Sequence, residues 1–555
     1  MSTPGNLRTT YHRRHRGLLV GLLCLFALYL VAQDRKTAPQ SPEQQKKTKI
    51  YLLHADRAQA NKTERPDVQL LIGNVKLRHD SMYMYCDSAL IFEKSNSVEA
   101  FSNVRMEQGD TLFIYGDYLY YDGLDQLARL RENVKMINRN TTLLTDSLNY
   151  DRLYNLGYYF EGGTLMDETN VLTSDWGEYN PATKEAVFNH DVKLVNPKFT
   201  MTSDTLQYNT FSKLATILGP SNIVSEDNHI YSERGTYNTL TEKGWLYDRS
   251  ILTNDGKTLT GDTLYYDRKK GYGEAFSRVV MNDEKNKSLL KGGYCFYNEL
   301  TDSAFATRRA VAVDYSQGDS LFLHGDTLQL VTFHADTDSV YRLLKAFHKV
   351  RFYRTDIQGV CDSLVYHSAD SCLTLHRDPI LWNEAQQLLG EEIQIFMNDS
   401  TVDRAHIINQ ALAVEEKDSI HYNQVAGKEM QAFFEAGELR RVEVTGNVQI
   451  GFYPEEEDKT MIGFNVGEGS LLHLFIRERK MEKAKMLGRS NGVMYPITQI
   501  PADKLKLPGF AWFDYIRPRD KEDIFEWRGK AAGEALKKTP NRKPQVDKRA
   551  LINLE

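Results

Sequence analysis

Apolar and polar residues alternate one by one through most of this chain, and the alternating runs fall into two recurring phrases. The first reads Asp, Ser or Thr, Leu, any residue, Tyr, often closed by Asp or Asn. It stands as Asp117-Tyr118-Leu119-Tyr120-Tyr121-Asp122, Asp146-Ser147-Leu148-Asn149-Tyr150-Asp151, Asp204-Thr205-Leu206-Gln207-Tyr208-Asn209 and Asp262-Thr263-Leu264-Tyr265-Tyr266-Asp267. Looser copies begin at Asp56, Asp87, Asp175, Glu233, Asp326, Asp362 and Glu391. The second phrase is a small or polar pair followed by apolar, any residue, apolar: Gly73-Asn74-Val75-Lys76-Leu77, Ser102-Asn103-Val104-Arg105-Met106, Glu132-Asn133-Val134-Lys135-Met136 and His190-Asp191-Val192-Lys193-Leu194. Val279/Met281, Val350/Phe352 and Val448/Ile450 continue it.

Alternation with period two is the signature of a strand, because successive side chains point to opposite faces. Leu148 and Tyr150 share one face; Val104 and Met106 share one, with Arg105 opposite. Lys76, Arg105, Lys135 and Lys193 hold the same slot, so one face should be apolar and the other solvated along the whole stack. Polar turns such as Asp125-Gln126 and Lys269-Lys270-Gly271 separate the segments. A fixed period over most of a chain means one stacked architecture, not a set of separate domains. The sequence predicts an all-β fold, an elongated antiparallel β-jellyroll or β-solenoid of about 29-residue repeats with an open apolar groove. The competing geometry is a parallel β-helix, which would add about 4.8 Å per repeat against roughly 10 Å for an antiparallel stack. Short turns between natural partners, and no Asn or aliphatic ladder at corners, favour the antiparallel form.

The pattern continues past residue 425. Met430 to Pro454 aligns without a gap on Leu472 to Pro496, pairing Gly446 with Gly488 and Tyr453 with Tyr495. Leu471 to Leu487 has helix-like composition, yet that alignment reads it as strand. The expected organisation is a signal peptide or membrane anchor over 1–33, a linker over 34–49, repeats over 50–425, two further repeats over 426–498, an aromatic cap over 499–528 covering the last strand edge, and a basic disordered tail over 529–555. Arg13-Arg14-His15-Arg16 followed by an apolar run from Gly17 to Ala32 is the layout of an export signal. Cleavage would fall after Ala32; uncut, residues 17–32 would be a short anchor in the inner membrane. Either outcome places the repeats in the periplasm, outside the cytoplasm.

The net charge of −6 over 555 residues excludes a nucleic-acid binder driven by phosphate neutralisation. Cys86, Cys295, Cys361 and Cys372 follow the signal, and an oxidising compartment would allow a Cys361–Cys372 bridge if register brought them together. No spacing among the cysteines or the fourteen histidines matches a compact metal site, and no glycine loop cradles a phosphate. No cofactor is implied. The recurring Asp could suggest paired catalytic carboxylates, but a catalytic pair belongs to one place and this Asp is in nearly every repeat. It reads as a strand-entry residue bonded to turn backbone, and the chain is not expected to be an enzyme.

The Asp-Ser-Leu-x-Tyr-Asp phrase beside Gly-Asn-Val-x-Leu resembles the repeat of the OstA-like (organic solvent tolerance protein A) family, which includes the LptA-type lipopolysaccharide-transport proteins. The clearest copies are Gly73-Asn74-Val75-Lys76-Leu77 with Asp87-Ser88, and Glu132-Asn133-Val134-Lys135-Met136 with Asp146-Ser147-Leu148-Asn149-Tyr150-Asp151. The resemblance spans roughly residues 50 to 450 of this longer chain. It implies an antiparallel jellyroll whose apolar groove carries lipopolysaccharide or lipooligosaccharide toward the outer membrane. It also implies inner- and outer-membrane transport partners joined by edge-strand addition, and end-to-end self-association. The candidate lipid-groove residues are Val75, Leu77, Val104, Met106, Val134, Met136, Val192, Leu194, Val279, Met281, Val350 and Phe352. The alternative is a structural or adhesive β-solenoid with a closed core and an outer face that binds protein or glycan. A carbohydrate-active β-helix enzyme is a third reading.

Overall fold

The computed structural model describes residues 48–531, 534 and 536, except 61–66, 227, 317, 335–338, 399–400, 457, 459 and 479. The expected export signal, most of the linker and most of the basic tail lie outside the described residues. The described chain is built of antiparallel β-strands, with only short 3-10 turns such as Arg268–Lys270 and Asp523–Phe525. It divides into two compact units, Met1–Leu130 and Arg131–Glu555.

In the first unit the strands Val68–His79, Met82–Phe92, Ser97–Gln108 and Leu112–Asp122 pair each with the next. Tyr51–His54 and Arg57–Ala60 pair with the other side of Val68–His79. The two phrases meet at a corner in these strands. Gly73 and Asn74 both have positive φ, 81° and 46°, and so do Ser102 and Asn103, at 62° and 51°. Two left-handed residues in succession break the ladder, as a bulge does, and bend the strand. The facing strand contributes its Asp: Asn103 Nδ2 donates to Asp87 Oδ2 at 2.7 Å, and Asn74 Nδ2 to Asp56 Oδ2 at 3.1 Å. Across the corner the inward phase slips by one residue. Met82, Met84 and Cys86 are buried before it and Ala89 after it. Both halves of each bent strand therefore turn an apolar face to one interior.

The second unit repeats this corner. His190/Asp191, Ser277/Arg278, His348/Lys349, Asn409/Gln410 and Gly446/Asn447 are left-handed pairs. The Asp262 N–H donates to Ser277 O at 3.0 Å, and its carboxylate accepts from Arg278 Nε at 3.0 Å. Gln410 Nε2 donates to Glu391 Oε1 at 2.6 Å. Where the acid is missing the backbone bond persists: the Gly293 N–H reaches Arg308 O at 2.8 Å and the Ser470 N–H reaches Gly488 O at 3.2 Å. Residues after each corner pair form one layer, the Val layer, which carries the Val-x-Leu phrase. Those after the Asp form the other, the Tyr layer. Phe464–Arg477 and Lys480–Leu487 are strands of this stack, as the 42-residue offset implies.

The bridge that the sequence merely allowed is not formed, and one expectation does not hold. Cys361 and Cys372 are free, as are Cys86 and Cys295, and all four are buried. Cys361 pairs across with Val350, on the Val-layer side of the corner, whereas Cys372 pairs with His367 at the far end of the Tyr layer. Register keeps the two thiols apart, and burial raises each above its ordinary value, to about 12 for Cys86 and Cys295.

The expectation that fails concerns the aromatic segment, which does not cover the last strand edge. Lys480–Leu487 and Asn491–Tyr495 are almost wholly exposed and pair on one side, with Phe464–Arg477. The segment instead runs back over the outer face of the Val layer as a strap. Phe513 and Ile516 pack on Val360, Ile380, Trp382, Leu389, Leu412 and Val414. Ile524 packs on Val311 and Val313. In register these are outward positions: Val360 lies beside Cys361 where Tyr85 lies beside Cys86 in the earlier rungs. The outer face is solvated in the early rungs, where Lys76 and Arg105 stack on Tyr85, and apolar beneath the strap.

Candidate functional site

The interior between the two layers is where the predicted groove residues sit. All twelve point inward. Val75, Leu77, Val104, Met106, Val134, Met136, Val192, Leu194, Val279, Val350 and Phe352 are buried, and Met281 is half-buried. In the first unit Leu77 pairs with Met84, Met84 with Met106 and Met106 with Ile114, a continuous cross-strand row. In the second unit the row runs through Leu165, Leu172, Leu194, Met201, Ile223, Ile230, Leu252, Leu259 and Met281, each the register partner of the next. It continues through Leu290, Ala312, Leu323 and Phe352, and then through Gly359, Leu381, Leu388, Ala413, Val425 and Ile450. Apart from Gly359, each of these rungs places an apolar side chain at one depth of the Val layer.

The Tyr layer has a matching row that alternation alone does not reveal. Tyr150, Gly157, Tyr179, Ala186, Tyr208, Ala215, Tyr237, Gly244, Tyr266, Gly273 and Tyr297 pair in succession. The Tyr of the first phrase alternates with Gly or Ala, so each ring lies over a neighbour with little or no side chain. Gly244 shows why: a Cβ there would stand 3.1 Å from the Tyr237 ring. The signal is present in the sequence as small residues at the first inward position of the strand after each Tyr, but only register shows that they alternate with the rings.

Three of these tyrosines, Tyr179, Tyr208 and Tyr297, span the interior and bond to the far rim of the Val layer, whereas Tyr266 Oη is buried without a hydrogen-bond partner among the described residues. Tyr208 Oη donates to Asp167 Oδ2 at 2.6 Å, and Asn170 Nδ2 donates to Tyr208 Oη at 2.8 Å. Tyr179 Oη donates to Asn138 Oδ1 at 3.4 Å, and Lys257 Nζ donates to Tyr297 Oη at 2.9 Å. Ion pairs close the same seam: Lys213 with Asp167 at 2.9 Å, Lys198 with Glu242, and Lys257 with Asp302 at 2.8 Å. The first unit has its own version, with His79 Nδ1 2.6 Å from Tyr121 Oη and both side chains buried. Burial raises the phenols, Tyr150 and Tyr159 to about 12, so they remain neutral. At Asp167 burial pushes the carboxyl up, but bonds from Tyr208, the Thr169 backbone and Lys213 outweigh it and the net shift is downward.

Beyond Asp302 the character of the interior changes. The Tyr-layer row becomes mainly aliphatic: Ala304, Leu330, Leu344, Tyr366, Leu373, Ile395 and Ala405. The Val-layer row becomes half-buried at Leu290, Ala312, Leu388, Ala413, Val425 and Ile450. One interior therefore has a tyrosine-sealed stretch and an aliphatic stretch that solvent reaches. No cluster of three or more metal-ligating side chains occurs among the described residues, and no helix there is long and apolar enough to cross a membrane.

A family model described as OstA-like protein matches residues 47–204 and 200–262. Residues 47–262 belong to the OstA-like family. The corner pairs described above carry the same rung past that boundary as far as Gly488 and Arg489. Among solved structures, the chain is similar to one described as LptH, the LptA-homologous periplasmic component of the conserved lipopolysaccharide transport device from Pseudomonas aeruginosa. Identity is 18%, with 20% of this chain and 92% of that chain covered and a TM-score of 0.19. No curated protein matches the chain.

Proposed function

We propose that this OstA-like protein binds the acyl chains of a lipopolysaccharide-type glycolipid in its interior and passes them along toward the outer membrane. The observation that carries this reading is the apolar, partly accessible row from Met281 to Ile450, in unbroken register and facing a second, mainly aliphatic row. A purely structural core would bury such residues throughout. Here Leu290, Leu388 and Val425 keep partial access, while outward residues such as Val360, Ile380 and Trp382 are buried beneath the strap. An acyl chain laid on such a row gains about 0.8 kcal/mol for each methylene removed from water, without any directional bond that would stop it sliding. Sugars and phosphates would stay outside. The twelve predicted groove residues keep this role where the row is accessible; those in the sealed stretch act as core unless the seam parts. The family membership of residues 47–262 supports a transport role, exerted in the periplasm with membrane-bound partners.

A closed structural solenoid is the reading that the tyrosine-sealed stretch favours. Photo-crosslinking in cells separates the two. A photoreactive residue at Leu290, Leu388 or Val425 is expected to capture lipopolysaccharide, with several-fold weaker capture at Leu194 or Met201 in the sealed stretch. Absence of a lipid adduct at all five positions would overturn the proposal and leave the solenoid.

A further inference from the structure

The strap begins where the tyrosine struts stop. Within the second unit the cross-seam bonds described above lie between Asn138 and Asp302. The strap's contacts on the Val layer run from Val311 to Gln424. In the first stretch the two layers are held together from inside, by side chains that cross the interior. In the second the interior is mainly aliphatic, and the Val layer is held from outside.

The grip is specific to backbone. Gln424 is fully buried on the outward face; its Nε2 donates to Leu505 O at 2.8 Å and its Oε1 accepts from the Leu507 N–H at 2.8 Å. Gln387, also fully buried, does the same further along the strap, with Ala511 O at 2.9 Å and the Phe513 N–H at 2.7 Å. Each amide thus engages the C=O of one strap residue and the N–H of the residue two later, as a neighbouring strand would. Gln358 Oε1 then accepts from Arg517 Nε at 2.7 Å, and Arg351 donates to Ile524 O. The strap lies over these side chains and takes its backbone partners from them.

We infer that residues 505–527 are an external splint that keeps the aliphatic stretch of the interior from collapsing, taking over from the tyrosine struts. An aliphatic interior that is not bridged by tyrosine struts like those of the first stretch gains by closing on itself. Anchoring the Val layer from behind opposes that closure from outside, without adding a polar side chain to the path of an acyl chain. The inference rests on the proposed function only for what the accessible interior is for; the splinting itself is a statement about the fold.

Hydrogen–deuterium exchange on the full chain tests it, comparing the intact protein with a chain ending at Gln499 and with the Gln387→Ala, Gln424→Ala double variant. Exchange in the Val-layer strands between 311 and 426 should rise by roughly tenfold or more in both, with the 138–302 strands unchanged. Crosslinking of lipopolysaccharide at Leu388 should fall in parallel. Unchanged exchange between 311 and 426 in the double variant overturns the splint, whatever the truncated chain does. If exchange rises as expected but the intact protein captures no lipid, the splint stands and the lipid-carrier reading fails.

Discussion

At the scale of single residues, the recurring Asp and Tyr have separate duties. The Asp locks a corner; the Tyr seals the interior. Tyr208 shows what the seal requires. Its hydroxyl is one of several donors that hold Asp167, whose side chain is 1% exposed, in its charged form. Replacing Tyr208 with Phe removes that donor while keeping the ring, and should destabilise the second unit by about 1–3 kcal/mol in a urea titration. The seam also has a defined acid response. Asp167, Glu242 and Asp302 are all held below their ordinary values: at each, burial pushes upward but is outweighed by bonds from Tyr208, Thr169 and Lys213, from Lys198 and Arg268, and from Lys257 and Arg342 respectively. A depressed carboxylate contributes stability that is present above its unfolded pKa and lost as pH falls through its folded one. Exchange protection in the 138–302 strands should thus hold above the ordinary values of 3.8 for Asp and 4.5 for Glu and fall below them, sooner in Lys213→Met. A protection profile independent of pH throughout the acid range would contradict the role given to these ion pairs.

At the scale of the element, the repeating part is a bent strand. A pair of left-handed residues on one strand faces a single residue on the next, and the inward phase changes there so that both arms face the same interior. Non-glycine residues occupy most of these positions, among them Asn103, Asp191, Arg278 and Lys349. A β-branched residue resists that conformation. Asn103→Val should cost about 2 kcal/mol, combining left-handed strain with loss of the bond to Asp87. Leu119→Val, on the neighbouring strand and without left-handed strain, should cost about 1 kcal/mol by urea midpoint. Equal effects would mean that the corner conformation is incidental.

At the scale of the whole molecule, both units carry exposed strands: Tyr51–His54 and Arg57–Ala60 in the first, Lys480–Leu487 and Asn491–Tyr495 in the second. Among the described residues each of these pairs on one side only. Unpaired edges invite a further strand, and on the bridge reading these are the edges that partners or a second copy of the chain would extend. Sedimentation of the purified protein should show reversible, concentration-dependent self-association. Val493→Pro, which disrupts the ladder at one of these edges, should weaken it several-fold. A protein that stays monomeric at every concentration would remove end-to-end joining.

The sequence by itself determined the repeat, the strand character and the corner. Alternation dictates which side chains share a face. The acid and the small or polar pair recur because every rung needs the same bend, and period-two patterning is local enough to be read directly. Leu471 to Leu487 is legible as strand for the same reason, against its helix-like composition. What only the tertiary structure decided depends on register and on contacts far apart in the chain. That Tyr208 crosses the interior to Asp167, or that Cys361 and Cys372 lie on opposite sides of a corner, follows from strand pairing that no local pattern encodes. The strap is the clearest case. Phe513 and Ile516 are 153 and 136 residues from Val360 and Ile380, and Gln358, Gln387 and Gln424 look like ordinary solvated strand residues until the segment that buries them is in place. An outward face is polar or apolar according to what covers it, and that is settled only when the chain has folded back on itself.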